Sequence, residues 1–527
     1  MSLNFLVDVG TLVSKLRENW VPSVLSIVLC IILVAIALGD GTPNYPQFPS
    51  VGQGFLKPWL TWTTADRWRL HEIEPIAYDQ YSKRGTPWYV TFWGLKFLIM
   101  PAKYLRDLRV VERHSLNLAM ALSDALNMEA SVGDVPTANT MEIDVVSKYL
   151  NAQLADTVPL LNEEADFVFG KEIGRLDNWT EFDAMDLSSK LVHYISNRIL
   201  VGPELCRSSD YRAATESLNM SHIIYGAIWN FLPLGPFRKP FYKVFCIPYR
   251  MQIRRAMKRF LIQNIEYRMS QRDNPTYKKQ LDTIQLMVDM PPANPKEDDA
   301  FRHSIRILHL HFASTGSTIA LVHHTLWQLL QEPSHITEIR SEIGTVLGKY
   351  GSWESPHTLN HMHLLDSFLR ELLRFRTPSA LVCLRLARQP VTLHDGFLLK
   401  PGTRIAFPAQ SIQFDPENYQ DARTFLPFRF AGPGPCSCDT QGHTHDTGRL
   451  KADAPDEKYL PFGYGKQSCP GRFFALKVVK LIVGRLIWEY DLKWAGQPPR
   501  SPTNGTMEGF FMPSKNVRIA LRSRQIS

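Results

Sequence analysis

Apolar residues recur at three- and four-residue spacing from about Leu116 to Leu372, the signature of helices that each bury one face. The clearest stretch runs through Ile305, Leu308, Phe312, Ile319, Val322, Leu326 and Leu329 and stops before Pro333, which predicts one uninterrupted helix from about Ala300 to Leu330. A helix of that length crosses a whole domain. At its centre lies His311-Phe312-Ala313-Ser314-Thr315-Gly316-Ser317-Thr318, four hydroxyl residues around a glycine that costs about 1 kcal/mol in a helix interior. Two accounts stand: a small-residue packing contact, or a local distortion beside a ligand that frees the hydroxyls from the backbone. After residue 380 the pattern shortens to strands: Leu381 to Ala387, Val391 to Leu393, Phe397 with Leu398, and Arg404 to Phe407. Asp395-Gly396 and Pro401-Gly402 supply the turns. Leu476, Val479, Leu481, Ile482 and Leu486 predict a further apolar helix. The expected fold is mainly α with small β-sheets.

The N-terminus differs. Val21 to Gly39 carries nineteen residues without a charge, and a helix of that length spans about 28 Å, close to the hydrocarbon core of a bilayer. Ala35-Ile36-Ala37 resembles a signal-peptide cleavage site, but the apolar run is long and begins late, so a retained transmembrane anchor is the better reading. Pro43, Pro46 and Pro49 with Gly52 and Gly54 predict a stiff stalk behind it. The resulting division is an N-terminal segment over 1–20, an anchor over 21–39, a stalk over 40–60 and one large domain over 61–527. A Gly-, Pro-, Ser- and His-rich insertion loop is expected at 431–456.

Composition narrows the classes. With 44% hydrophobic and 21% charged residues the 527-residue chain is globular rather than disordered, collagen-like or many-span. The 59 Lys and Arg against 51 Asp and Glu leave a net +8, too mild for a nucleic-acid footprint; Arg250, Arg254, Arg255, Lys258 and Arg259 read as a solvated helix face. Seven scattered cysteines do not make a disulfide framework. The odd count leaves at least one thiol free or holding something.

The strongest signal is Pro461-Phe462-Gly463-Tyr464-Gly465-Lys466-Gln467-Ser468-Cys469-Pro470-Gly471-Arg472-Phe473-Phe474-Ala475, a cysteine loop feeding a helix. Phe462, Gly465, Cys469 and Gly471 occupy every fixed position of FxxGxxxCxG. The loop resembles the haem-ligand loop of the cytochrome P-450 family, its fungal membrane-bound members above all. Glu371-Leu372-Leu373-Arg374 resembles the family's ExxR element, and Phe425 to Phe430 its PERF-type element, with Phe428 where Glu is often found. The resemblance covers roughly residues 45–520.

It implies a cytochrome P-450 fold, haem b (iron-protoporphyrin IX), Cys469 as the iron's axial ligand, and a Glu371–Arg374–Arg429 network around it. A thiolate on haem iron favours O–O cleavage, Gly465 and Gly471 would allow close backbone approach, and Phe462 would shield the sulfur. Arg385 is the best match for a propionate partner. Gln467 stands where the family commonly has Arg or His, with Lys466 beside it as a substitute, and the family's Trp-x-x-x-Arg element is missing between residues 140 and 165. In the long helix, Gly316 falls at the family's acidic position and Ser317 at its threonine; a shifted register would make Thr315 or Thr318 the alcohol. Two chemistries follow: hydroxylation with protons passed by hydroxyls and waters, or coupling, desaturation or rearrangement without net oxygen insertion. A haem-binding protein without turnover is the alternative of another class. The resemblance further implies a single-pass protein of the endoplasmic reticulum membrane with a cytosolic catalytic domain. It would take electrons from an NADPH-dependent cytochrome P-450 reductase and oxidise a lipophilic small molecule in fungal secondary metabolism. Arg472, Lys477, Lys480 and Arg485 either face that reductase or are ordinary solvated charges. Cys436, Cys438, His443 and His445 fit zinc spacings poorly, and the sequons at Asn178, Asn219 and Asn504 would go unused in the cytosol.

Overall fold

The computed structural model describes residues 44–52, 66–226, 238–290, 292, 294–432, 449–498, 501, 503–507, 509–514 and 517–525. The expected anchor at 21–39, the segment 1–20, most of the stalk, and 433–448 of the insertion loop with Cys436, Cys438, His443 and His445 lie outside these residues. Among the described residues no helix is long and apolar enough to cross a membrane.

The helical body is built from α1 (Leu154–Glu172), α2 (Ala184–Leu200), α3 (Ser209–Gly226), α4 (Ile247–Ala256), α5 (Ala300–Gln331), α6 (His363–Phe375) and α7 (Arg472–Glu489), joined by the further helices Asp66–Gln80 and Ser334–Tyr350 and by shorter elements. The long helix starts where expected because the Asp299 carboxylate accepts from the Arg302 N–H at 3.0 Å, and it ends just before Pro333. It packs against α2 and α7, which both pack on α1. Leu161, Leu191, Ile195, Val322, Leu326, Val479 and Ile482 meet in that bundle, fully buried. Because α7 is apolar on nearly every side, it belongs in the centre. The basic run forms a solvated face: Arg254, Arg255, Lys258 and Arg259 are exposed.

The strands predicted after residue 380 are present. β1 (Trp88–Phe92), β2 (Leu95–Ile99), β3 (Leu116–Asn117), β4 (Leu381–Ala387) and β5 (Arg404–Pro408) form one sheet in the order β1-β2-β5-β4-β3. The pair β2–β5 is parallel, with Leu98 opposite Ile405 and Ile99 opposite Ala406. Val391–Thr392 pairs with Leu398–Leu399 as a separate hairpin.

Residues 44–52, part of the expected stiff stalk, are docked on the body. Tyr45 is buried and shares an aromatic cluster with Phe48 and Phe397, its hydroxyl donates to the Leu398 carbonyl at 2.7 Å, and Ser50 bridges to Tyr89. The proline count pointed to stiffness, but two aromatic side chains with an apolar seat decide where the segment lies.

Glu371, Arg374 and Arg429 form the expected network, and all three are buried. Arg374 donates to both carboxylate oxygens of Glu371, at 2.7 and 2.8 Å, and Arg429 Nε reaches the same carboxylate at 3.2 Å. The spare guanidinium groups bind backbone: Arg374 to the carbonyls of Gln413 and Ala422, Arg429 to those of Gln420 and Asp421. Glu371 Oε1 also accepts from the Leu426 N–H at 3.0 Å. Phe428 turns to the His335 ring, at 6.0 Å between centroids. The network therefore ties α6 to the irregular stretch 413–430. Removing one charge from a buried, fully bonded set leaves the others unpaired, so Glu371→Ala is expected to lower unfolding free energy by about 3–5 kcal/mol in denaturant titration. An unchanged midpoint would refute that role.

Candidate active site

The cysteine loop is shaped by two left-handed glycines, Gly463 (φ 69°) and Gly465 (φ 76°). At Gly465 a Cβ would lie 2.2 Å from the Leu108 carbonyl oxygen, so this position accepts nothing larger. Gly471 differs: its backbone is right-handed and a Cβ there would meet no atom within 4 Å. The loop closes when the Cys469 N–H donates to the Phe462 carbonyl at 2.8 Å. Arg472, the first residue of α7, donates to the carbonyls of Cys469 at 2.7 Å and Asp453 at 2.8 Å, and Asn151 holds the Pro470 carbonyl at 3.0 Å. Phe462 is half-buried against the main core.

Cys469 is the exposed thiol among the four described cysteines; Cys206, Cys246 and Cys383 are buried. Its surroundings are nevertheless dense with protein. Burial pushes the thiol up, while the N–H groups of Gly471 and Arg472 and the Arg472 guanidinium pull against that shift. An accessible sulfur deep in the fold, at the N-terminus of a helix, is placed to act as a thiolate ligand.

The residues around it fit a haem. Arg385 is 1% exposed, yet it donates to carbonyls, Leu384 at 2.8 Å and Tyr464 at 3.3 Å, and no described carboxylate pairs with it. A buried guanidinium without an anion is the partner a propionate needs. Its strand is irregular between Val382 and Arg385, where Cys383 adopts φ 55°. Arg113 lies near enough to oppose its charge and forms no ion pair with a described carboxylate. Sequence reading missed Arg113, because only the pairing of β3 with β4 brings it beside Arg385. Gln467 is occupied with β3: its amide donates to the Leu116 carbonyl at 2.6 Å and its oxygen accepts from the Leu118 N–H at 2.9 Å. Lys466 forms an ion pair with Glu112.

In α5 the hydroxyls separate by face. Thr315 and Thr318 are buried, and each donates to the carbonyl four residues back, at 2.7 and 2.6 Å. The expected alternative of a distorted helix with freed hydroxyls does not hold, since α5 runs unbroken through this stretch. Ala313, Gly316 and Ser317 are exposed on a helix whose opposite face is core. Ser317 makes only a long bond of 3.3 Å to the Ala313 carbonyl, and a Cβ on Gly316 would meet nothing within 4 Å.

The basic surface needs correction. Lys480 and Arg485 are buried, paired with Asp366 and with Asp166 and Glu489, because α7 is central and its charges must be met internally. Lys477 is half-buried, bonded to Asn360 at 2.8 Å, and burial together with the Lys480 charge pulls its ammonium down to about 8.

Comparison with known proteins agrees with this geometry. The sequence profile described as Cytochrome P450 matches residues 145–521. The cytochrome P450 monooxygenase sirB of Leptosphaeria maculans is 37% identical over 503 residues, 95% of each chain. Aspergilol synthase AuAP450 of Aspergillus ustus is 28% identical over 477 residues, 86% of this chain and 82% of its own. Ent-kaurene oxidase of Fusarium fujikuroi is 27% identical over 448 residues, 82% of this chain and 80% of its own. With the recessed cysteine loop, the buried charge network and these likenesses in agreement, the chain belongs to the cytochrome P450 family of monooxygenases, whose members bind haem b.

Proposed function

We propose that the protein is a membrane-anchored tailoring monooxygenase of fungal secondary metabolism, inserting oxygen into a lipophilic small molecule with electrons from an NADPH-dependent reductase. The observation that carries it is the accessible Cys469 thiol in its recess, facing chemistry that a buried structural cysteine could not perform. The likeness to fungal P450 monooxygenases over most of the chain supports the rest. When bound, haem supplies dioxygen activation.

The chain's own groups divide the remaining work. Cys469 loses its proton to become a ligand, and the Gly471 and Arg472 N–H groups hold the resulting charge. Arg385, with Arg113 near it, receives a propionate. Ser317 is the hydroxyl that carries protons: it is exposed on the open face of α5, whereas Thr315 and Thr318 spend theirs on the helix backbone. Its hydroxyl can donate to one water and accept from another, and so pass protons without the carboxylate that Gly316 lacks. A second reading, coupling or desaturation without oxygen insertion, is favoured by that same glycine. The anchor at 21–39 sets the body against the endoplasmic reticulum membrane, on its cytosolic side.

Cys469→Ala is expected to abolish the red-shifted Soret band of the reduced carbon monoxide adduct, and survival of that band would exclude Cys469 as ligand. Ser317→Ala is expected to divert NADPH electrons to peroxide by about tenfold, with Ser317→Thr restoring coupling and Thr315→Val leaving it unchanged; equal leakage from all three variants would reject the assignment. Growth under labelled dioxygen separates the two chemistries, since insertion puts label into product and coupling puts it only into water. Deleting residues 1–43 is expected to move the protein from the membrane pellet to the supernatant, and a deletion that still pellets would count against the anchor.

A further inference from the structure

One face of α5 carries His309 in line with Ala313, Gly316, Ser317 and Ala320, since residues four, seven, eight and eleven positions on return to the same side of a helix. This is the face left accessible while His311, Thr315 and Thr318 point into the core. His309 is therefore a polar group on the stripe that the proposed reaction uses. Its side chain is 28% exposed. The surrounding helix surface is apolar, with Ile305, Leu308 and Phe312 lining a cavity of about 30 Å³ that His309 shares with His222 and Asn219.

His309 does not stand alone. Its Nδ1 is bonded to the carboxylate of Glu142, which lies far away in sequence on the short helix Met141–Asp144. Glu142 is buried, its second oxygen has no partner, and the chain continues directly into a π-helical turn at Val145–Leu150, a distortion that tends to mark functional sites. Burial of His309 disfavours its charge, but the Glu142 carboxylate outweighs that and raises its basicity. Neighbouring His222 goes the other way, held neutral by burial with its Nδ1 on the Tyr249 hydroxyl at 3.0 Å. The carboxylate on Nδ1 thus favours the protonated imidazole, the form in which Nε2–H is a second donor.

We propose that the Glu142–His309 pair is the polar anchor of the substrate: Glu142 fixes the imidazole through Nδ1, and Nε2–H donates to a carbonyl oxygen of an otherwise apolar molecule lying along the α5 stripe. The inference rests on the monooxygenase reading above and adds a chemical class to it, a ketone, lactone or amide rather than a bare hydrocarbon. Residues 313–317 lie four to eight positions further on, so the anchored oxygen sits roughly 6–12 Å along the helix from the region of Ser317. A small polycyclic skeleton spans that distance. A recessed donor held by a carboxylate discriminates strongly, because a ligand without an acceptor leaves it unpaired.

The test uses the full-length, haem-loaded protein and matched probes that differ by one carbonyl, fluorenone against fluorene and anthrone against 9,10-dihydroanthracene. Affinity is read from the spin-state shift of the Soret band. In the wild type each ketone is expected to bind about 10- to 100-fold tighter than its parent. His309→Phe should bring the two within about twofold, while His309→Gln, which keeps a donor, should retain part of the preference, and Glu142→Gln should weaken it. Equal affinity of ketone and parent in the wild type, binding of neither, or an undiminished preference in His309→Phe would overturn the anchor. The reduced carbon monoxide spectrum keeps the two failures apart: a wild type with an intact thiolate band but no ketone preference sinks the anchor alone, whereas a wild type without that band sinks the monooxygenase reading.

Discussion

The rest of the structure depends on a single buried carboxylate. Glu371 accepts from two guanidinium groups and a backbone N–H, and those guanidinium groups in turn hold carbonyls of a segment with little regular structure of its own. Three charges taken out of water cost several kcal/mol each, so the arrangement is a poor way to gain stability. What it supplies is geometry. The stretch from Gln413 to Phe430 has few ladder bonds to define it, and Ser367 adds a second clip by bonding the Pro427 carbonyl and the Phe430 N–H. The same helix α6 also holds the approach to the cysteine loop, since Arg370 donates to the carbonyls of Lys451 and Ala454 and pairs with Asp456.

The loop rests on its neighbours by backbone rather than side-chain contact. Gly465 lies against the Leu108 carbonyl with no room for a methyl group, and Gln467 ties the loop to the edge strand β3. Across the bundle, α5 presents glycine, alanine and serine where the rest of its circumference is packed. Small residues on that face leave room for a wide, flat ligand, because none of them carries a bulky side chain that would have to move. Arg385 supplies the charge such a ligand requires at its rim.

Much of this was legible from local pattern, because the features concerned are short-range. The helix Ala300–Gln331 announces itself by periodicity and by Pro333 beyond its end, and the strands after 380 by their turn dipeptides. The cysteine loop is contiguous, and Gly463 and Gly465 in it answer to backbone geometry alone. Features that depend on distant partners were not legible. Nothing in the local sequence of Lys480 or Arg485 marks them as buried, since the carboxylates that pair with Lys480 and, in part, Arg485 come from α6 and α1. Ser317 could be told from Thr315 and Thr318 only once the core side of α5 was known. Arg113 becomes relevant through a strand pairing, and the contact of Glu142 with His309 joins segments 167 residues apart.

The parallel pairing of β2 with β5 has a consequence for how the protein is made. Leu98 and Ile99 find their partners in Ile405 and Ala406, and Asn44 bonds Thr403 at 2.8 Å. The first strands to leave the ribosome therefore wait for roughly 300 further residues, some 15–60 s at ordinary elongation rates, before their sheet can form. Throughout that interval β2 exposes an unpaired edge and an apolar face to solvent. Protection of that strand until its partner arrives is a biosynthetic demand written into the topology.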